Sequence, residues 1–127
     1  MTAKPVGQLT IQTIAMPANT NANGDIFGGW LVSQMDLAAG VLAKQTSTGR
    51  AATVAIQNLT FIKPVNVGDV VSCYVSLKKV GHSSMTLDVE VWKETFSTQE
   101  QLCVARGIFI FVAIDDKGLP RQVSQPV

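Results

Sequence analysis

A single carboxylate, Asp25, stands three residues before a glycine pair, Gly28 and Gly29, that opens a long apolar run. A carboxylate of this kind can activate water as a general base or attack a carbonyl carbon directly. Backbone N–H groups at a glycine-rich helix start can hold a carbonyl oxygen while it gains negative charge. Together these residues predict an acyl-transfer site that requires no serine or cysteine nucleophile.

The same carboxylate also has a purely structural interpretation. An acid near a helix start often caps the free N–H groups, which stabilises the helix by about 1 kcal/mol. By residue type alone, capping is the commoner role of Asp25. The two glycines favour a binding role, because they weaken a helix but allow a ligand to approach its backbone closely. Asn23 could orient Asp25 or a water molecule, although Asn-Gly is equally a turn signal and the turn is the safer interpretation.

Asp36 is a second acid, eleven residues after Asp25 and within the apolar run. It is either a buried acid with satisfied hydrogen bonds or an interface contact. The run from Gly28 or Gly29 to Gln45 predicts a helix that is apolar on nearly every face, which is normally wrapped by other elements. Residues 8–16 before it are rich in β-branched residues and predict a strand.

Everything after Arg50 is typical of strands. Alternation predicts that one set of side chains faces the core and the intervening set faces outward. The inward set is Val71, Cys73, Val75 and Leu77 in one strand and Met85, Leu87, Val89 and Val91 in the next. Residues 102–115 are apolar on both faces apart from Arg106, which suits a central strand. We expect one α+β domain over residues 1–127, with its core at about 8–121, in which a mainly antiparallel sheet of five strands curls round one buried helix.

Charge and composition limit the possible partners. A net charge of +1 gives no broad basic surface for nucleic acid or an anionic membrane. No segment resembles a secretion signal or a membrane span, so we expect a cytoplasmic protein. Cys73 and Cys103 lack the paired spacing of a zinc or redox site, which favours reduced thiols. His82 is the sole histidine, so we expect a surface loop residue and no metal site.

Five segments of the chain together resemble one known family. They are AMPANTNANGDIFGGWLVSQMDLAAGVLAK, FIKPVNVGDVVSCY, KVGHSSM, VEVW and FVAIDDKGLPR, in that order between about Leu9 and Arg121. The combination closely resembles the YciA-like acyl-CoA thioesterases of the hotdog-fold superfamily. The resemblance implies a sheet wrapped round the helix at residues 28–45, in agreement with the order of elements above. It also implies edge-to-edge dimers, commonly assembled as trimers of dimers.

The resemblance assigns roles as well as a fold. It implies hydrolysis of acyl-CoA to a carboxylic acid and CoA at a dimer interface, without a cofactor, because CoA is part of the substrate. Asp25 is then the catalytic carboxylate, and the backbone of Gly28 and Gly29 polarises the thioester carbonyl. Other hotdog families place their catalytic acid on the helix, which makes Asp36 the rival of Asp25.

Contacts to the substrate are further expectations. The phosphates of CoA need cationic or N–H partners, and the resemblance favours the KVGHSSM loop and the terminal Pro-Arg for them. We also include the lysine that follows the second predicted strand, although each cation alone is commonly a solvated surface charge. The candidates are Lys63, Gly81, His82, Ser83, Ser84 and Arg121 for CoA, and Val32, Leu59, Phe61 and Met85 for the acyl chain.

Two other functions fit the same fold. A hotdog domain can sense acyl-CoA without turnover, usually when it is joined to a DNA-binding segment, and no such segment occurs here. A hotdog dehydratase acting on acyl-carrier protein normally uses a histidine together with an acid, and His82 lies in a predicted hairpin, which suits that role poorly. The preferred acyl chain length cannot be derived from these residues.

Overall fold

The chain folds as a strand, a long helix and four further strands. A computed structural model of the chain describes residues 4–95, 97 and 99–123, so both ends of the predicted domain lie outside the described ranges. The elements are β1 (Gln8–Ile14), α1 (Gly28–Ser47), β2 (Ala51–Phe61), β3 (Val70–Val80), β4 (Ser84–Glu94) and β5 (Gln101–Ala113), with a short 3₁₀ turn at Pro17–Asn19. The predicted α+β class and the order of elements are confirmed.

The strands form one antiparallel sheet in the order β1-β3-β4-β5-β2. The strand predicted to be central, now β5, lies between β4 and β2, and residues 81–83 form the predicted hairpin turn between β3 and β4. The inward-facing residues of β4 are buried as expected. Leu77 on β3 is 38% exposed, so its predicted burial is wrong. Pairing of β3 with β1 ends at Val75, and beyond that point β1 no longer covers the edge.

The helix α1 packs against the sheet through small and flexible side chains. Its fully buried residues are Met35, Ala38, Ala39, Ala43 and Ser47. Alanines bring the helix backbone close to the sheet, and methionine adapts its shape to fill the remaining gaps. The helix ends two residues later than predicted, where Thr48 adopts a left-handed conformation at φ 52°. Within the described ranges no helix is long and apolar enough to cross a membrane.

One side of α1 remains uncovered in the single chain. Leu37 and Val41 are four residues apart on the helix and are 59% and 39% exposed. The expectation that other elements wrap the helix on all sides is therefore wrong for one chain, because a single sheet covers only the face packed against it.

A buried ion pair fixes the loop between β2 and β3. Lys93 Nζ lies 3.7 Å from Asp69 Oδ2, and both side chains are less than a tenth exposed. The same Lys93 ammonium donates to the Pro64 carbonyl oxygen at 2.7 Å. Asp69 Oδ2 also accepts the Asn66 N–H at 2.9 Å. The segment that follows β2 is thus held against β4 by charge as well as by packing.

We predict that Asp69→Ala lowers the free energy of unfolding by about 3 to 5 kcal/mol, because it leaves the Lys93 charge buried without its counter-ion. The matched control is Asp88→Ala, which removes the Lys78–Asp88 pair at 3.6 Å, whose side chains are 52% and 41% exposed. That variant should lose less than about 1 kcal/mol. Urea unfolding of both variants measures the difference, and equal losses would contradict the structural role given to the buried pair.

Candidate active site

Asp25 lies in a short loop, residues 20–26, that is closed by hydrogen bonds around Asn21. The Asn21 side-chain oxygen accepts the N–H groups of Asn23 at 2.9 Å and Asp25 at 3.2 Å. The Asn21 N–H donates to the Asp25 carbonyl oxygen at 2.7 Å. Gly24 supplies the left-handed residue of the turn at φ 84°. The turn interpretation of Asn23 and Gly24 is therefore confirmed.

The Asp25 carboxylate does not cap the helix. Phe27 occupies the N-cap position of α1, and no side chain there bonds to the first N–H groups. The capping interpretation of Asp25 is therefore wrong, since the loop ends two residues too early to bring the carboxylate into the cap position. Asp25 is exposed in the single chain. Among the described residues, its carboxylate has no hydrogen bond or ion pair.

The start of α1 borders a cavity of about 380 Å³. Gly28 and Leu31 line it on the helix side, and the segment from Phe61 to Val65 lines the opposite side. A β-carbon at Gly28 would lie 3.0 Å from Phe61 Cζ. The aromatic ring thus packs over the first turn of the helix at a distance that only glycine permits without a shift. Lys63 from the predicted CoA set and Phe61 from the predicted acyl set both border this cavity.

The other three predicted acyl residues do not border this cavity. Val32 and Leu59 are partly buried and pack against the core. The Leu59 side chain covers Gly107, where a β-carbon would lie 3.1 Å from Leu59 Cδ1. Met85 is fully buried beneath α1. Of the four predicted acyl residues, only Phe61 lines the cavity of this chain.

The predicted CoA loop is packed against the C-terminal tail. The Val123 N–H donates to the His82 carbonyl oxygen, and the Ala113 N–H donates to the Ser83 carbonyl oxygen, both at 2.8 Å. The Gly81 N–H donates to the Ser84 carbonyl oxygen at 2.8 Å. His82 is exposed in the turn, as predicted for a surface loop histidine.

Arg121 holds the end of α1 to the tail. Its guanidinium donates to the carbonyl oxygens of Ile114 and Ser47 at 2.9 Å each and to that of Arg50 at 3.2 Å. Cations suit this position because the carbonyl groups of a last helical turn lack partners within the helix. Sequence reasoning missed this role, because the acceptors are backbone groups that only folding brings together. The predicted phosphate contact competes with these bonds.

The candidate residues divide between the two ends of α1. Gly28, Lys63 and Asp25 lie at its N-terminal end, whereas Arg121 and the 81–84 loop lie at its C-terminal end. A helix of 20 residues spans about 30 Å at 1.5 Å per residue. One chain therefore does not bring the predicted CoA loop to the predicted catalytic carboxylate.

The rival acid, Asp36, has a partner within the chain. Its Oδ1 accepts the Thr53 hydroxyl of β2 at 2.6 Å, and the residue is half-buried. This bond agrees with the interpretation of Asp36 as a buried acid with a satisfied hydrogen bond. It also ties the middle of α1 to the edge strand.

Both cysteines are free thiols, as the spacing predicted. Burial raises the pKa of the Cys73 thiol to about 12. Burial also raises the pKa of Cys103, although the nearby Arg106 opposes the shift. A protonated thiol is a poor nucleophile, so the buried Cys73 thiol is not a candidate for one.

Three comparisons relate this geometry to known proteins. The thioesterase superfamily matches residues 23–97. The acyl-CoA thioester hydrolase YciA of Salmonella typhimurium is 47% identical over 120 residues, which cover 92% of this chain and 90% of that protein. A hexameric thioesterase from Yersinia pestis superposes with a TM-score of 0.92 at 47% identity, covering 96% of this chain and 100% of that chain. A hexameric broad-specificity acyl-coenzyme A thioesterase gives the same TM-score and identity, covering 97% of this chain and 85% of that chain.

We predict that Arg121→Met lowers the free energy of unfolding by about 2 kcal/mol, because it removes the charged donor from the carbonyl oxygens of Ser47, Arg50 and Ile114. Arg50→Met is the control, since Arg50 donates a single exposed bond to Asp115 at 3.0 Å and its loss should cost less than about 1 kcal/mol. Thermal and urea unfolding compare the two variants. An Arg121→Met protein as stable as the control would argue against the structural role.

Proposed function

Because the chain belongs to the thioesterase superfamily, we propose that it hydrolyses acyl-CoA thioesters to a free carboxylic acid and CoA. One observation carries the proposal: the Asp25 carboxylate is free of partners in the described chain, beside a helix start that has no side-chain cap. The carboxylate can activate water or attack the thioester, and the N–H groups of the helix start can bind the carbonyl oxygen. The names of similar proteins support the same substrate class.

The first turn of α1 serves as the oxyanion site in this proposal. The thioester carbonyl oxygen gains negative charge as the tetrahedral intermediate forms, and the N–H groups of Gly28 and Gly29 donate to it. The positive end of the helix dipole favours the same charge. Such donors contribute more to the transition state than to the bound substrate, because the charge develops only during reaction.

Asp25 supplies the attacking group by one of two routes. As a general base it takes a proton from water, which attacks the carbonyl carbon while the C–S bond breaks and CoA leaves as a thiolate to be protonated. As a nucleophile it forms a mixed anhydride that water then hydrolyses. Single-turnover reaction in oxygen-labelled water distinguishes the routes: label in the enzyme carboxylate indicates the anhydride. Asn23 is proposed to orient the attacking water from the neighbouring turn.

A second copy of the chain completes the site. The strand β2 is at the edge of the sheet, and antiparallel pairing with its own copy about its midpoint, Ile56, would place residue 61 opposite residue 51 of the copy. The N-terminal end of one α1 would then approach the 81–84 loop of the other chain. The exposed Leu37 and Val41 offer apolar surface for further contacts. We therefore propose a dimer at least, assembled as a trimer of dimers.

CoA then lies between two chains. Lys63 is proposed to bind its phosphates near the cavity, and residues Gly81, His82, Ser83 and Ser84 of the second chain offer N–H groups and hydroxyls. We infer that Arg121 acts indirectly, by holding the tail that packs against this loop. Phe61 contacts the acyl chain at the cavity, with Val32, Leu59 and the buried Met85 behind it. The reaction requires no cofactor, and the two free thiols suit the reducing cytoplasm.

We predict that Asp25→Asn lowers kcat for acyl-CoA hydrolysis by about 10² to 10⁴-fold, the range expected when a general base is lost. The control is Asp36→Asn, which keeps an oxygen acceptor for Thr53 and should stay within about tenfold of the wild type, since Asp36 takes no part in proton transfer. Steady-state hydrolysis of a panel of acyl-CoAs measures both variants.

The same pair of variants separates the competing assignments. If only Asp36→Asn lost turnover, the catalytic acid would be Asp36 on the helix and not Asp25. Turnover retained in Asp25→Asn would contradict the proposed mechanism. A wild-type protein that binds CoA tightly but cleaves no acyl-CoA would support a sensor instead, and hydration of unsaturated substrates or dehydration of 3-hydroxyacyl substrates would support a dehydratase.

We predict that Gly28→Ala lowers kcat/KM by about ten- to a hundredfold, since a misplacement near 1 Å can cost about 10²-fold. The new methyl group forces the Phe61 ring away from the helix start. Gly40→Ala in the same helix is the control, because its β-carbon would lie at an ordinary 3.6 Å from Phe111. The double variant Gly28→Ala, Phe61→Leu should recover part of the activity. No recovery, or an equal loss in the control, would argue against the proposed crowding.

A further inference from the structure

The loop that presents Asp25 has no core of its own. Residues 21–25 are all exposed in the chain, and a β-carbon at Gly24 would meet nothing within 4 Å. Loops are usually fixed either by buried side chains or by hydrogen bonds to their backbone. In this loop only hydrogen bonds are available.

Four of those hydrogen bonds involve one residue, Asn21. Its side-chain oxygen accepts two N–H groups, from Asn23 at 2.9 Å and Asp25 at 3.2 Å. Its backbone N–H donates to the Asp25 carbonyl oxygen at 2.7 Å, and its carbonyl oxygen accepts the Gly24 N–H at 3.1 Å. Asp25 is thus bound through both its N–H and its carbonyl group, and each bond ends on Asn21.

The residues that flank the loop are anchored independently. The Ile26 N–H donates to the Val65 carbonyl oxygen at 3.2 Å, and the Phe27 N–H donates to the Asn19 carbonyl oxygen at 3.1 Å. Thr20 pairs with Ile26 as an isolated bridge. These contacts fix where the loop begins and ends, but not the direction of the backbone at Asp25. That direction is set by Asn21, through its side-chain oxygen on one side of Asp25 and its backbone N–H on the other.

We propose that Asn21 is a positioning residue for the catalytic carboxylate: its side-chain oxygen fixes the backbone of Asp25 and so directs the carboxylate toward the start of α1. The inference rests on the proposed function, because it concerns the geometry of the same site. An acceptor oxygen two bonds beyond the β-carbon is required, which aspartate also provides. Alanine lacks it, and serine offers a shorter and weaker substitute.

The test compares Asn21→Ala, Asn21→Asp and Asn21→Ser with the wild type in hydrolysis of acyl-CoA. Asn21→Ala should lower kcat by about ten- to a hundredfold, since reacting groups are sensitive to displacements near 1 Å, and it should leave KM almost unchanged. Asn21→Asp should recover most of the lost kcat, and Asn21→Ser part of it. Assays at about 0.5 M salt screen the added charge of aspartate. Thr20→Ala, which removes a hydroxyl bond to the Pro17 carbonyl oxygen at 2.8 Å, is the control and should keep its kcat.

Each outcome has a defined meaning. Rescue by aspartate distinguishes positioning from general destabilisation, and circular dichroism verifies the fold of every variant. If Asn21→Ala does not fold, the serine variant decides: an intermediate kcat supports the proposal, and an unchanged kcat overturns it. If Asp25→Asn has lost turnover but Asn21→Ala keeps the wild-type kcat, the proposed positioning role of Asn21 is overturned and the proposed function stands. An Asp25→Asn protein with full turnover instead removes the catalytic role of Asp25, and a wild-type protein that cleaves no acyl-CoA removes the proposed function.

Discussion

The structure depends on a helix that begins without a side-chain cap. The first N–H groups of an α-helix have no partner within it, and a protein normally satisfies them with a side chain or water. In α1 the N-cap residue is Phe27, which has no polar side chain to offer. Gly28, the first residue of the helix, borders the cavity, and its missing side chain leaves room for the Phe61 ring over the first turn. A carbonyl oxygen from a ligand can occupy the position that a capping oxygen would otherwise take.

The interactions that stabilise α1 and its surroundings lie outside the first turn of the helix. The glycine pair weakens the first turn, while buried alanine and methionine side chains hold the rest of α1 against the sheet. The opposite helix end is secured by Arg121. The wall facing the glycines is fixed by the Lys93–Asp69 ion pair. An uncapped helix start can be tolerated because these contacts stabilise the elements on each side of it.

Sequence periodicity predicted the fold because burial in a sheet follows simple alternation. The pattern of β4 holds from Ser84 to Val91, where β3 and β5 flank the strand on both sides, and it breaks at the register shift between Val91 and Trp92. The same rule failed at Leu77, where the neighbouring strand ends. At the candidate site, residue types predicted the turn at Asn23 and Gly24 and a helix that begins at the glycine pair, and both are present. They did not reveal that Asn21 organises the loop, because its partners are backbone atoms and carry no sequence signature.

The separation of the candidate residues has a physical origin in the length of α1. The helix extends across the sheet, so its start and its end cannot both approach one reactive carbonyl in the same chain. Among the described residues, the start carries an uncapped backbone and a carboxylate without a partner, whereas at the end Arg121 donates to the Ser47 carbonyl oxygen. In the proposed mechanism, the chemistry takes place at the helix start and the substrate is held near the helix end. Antiparallel pairing of two copies at β2 would bring the start of each α1 toward the end of the other, so the proposed dimer would contain two equivalent sites.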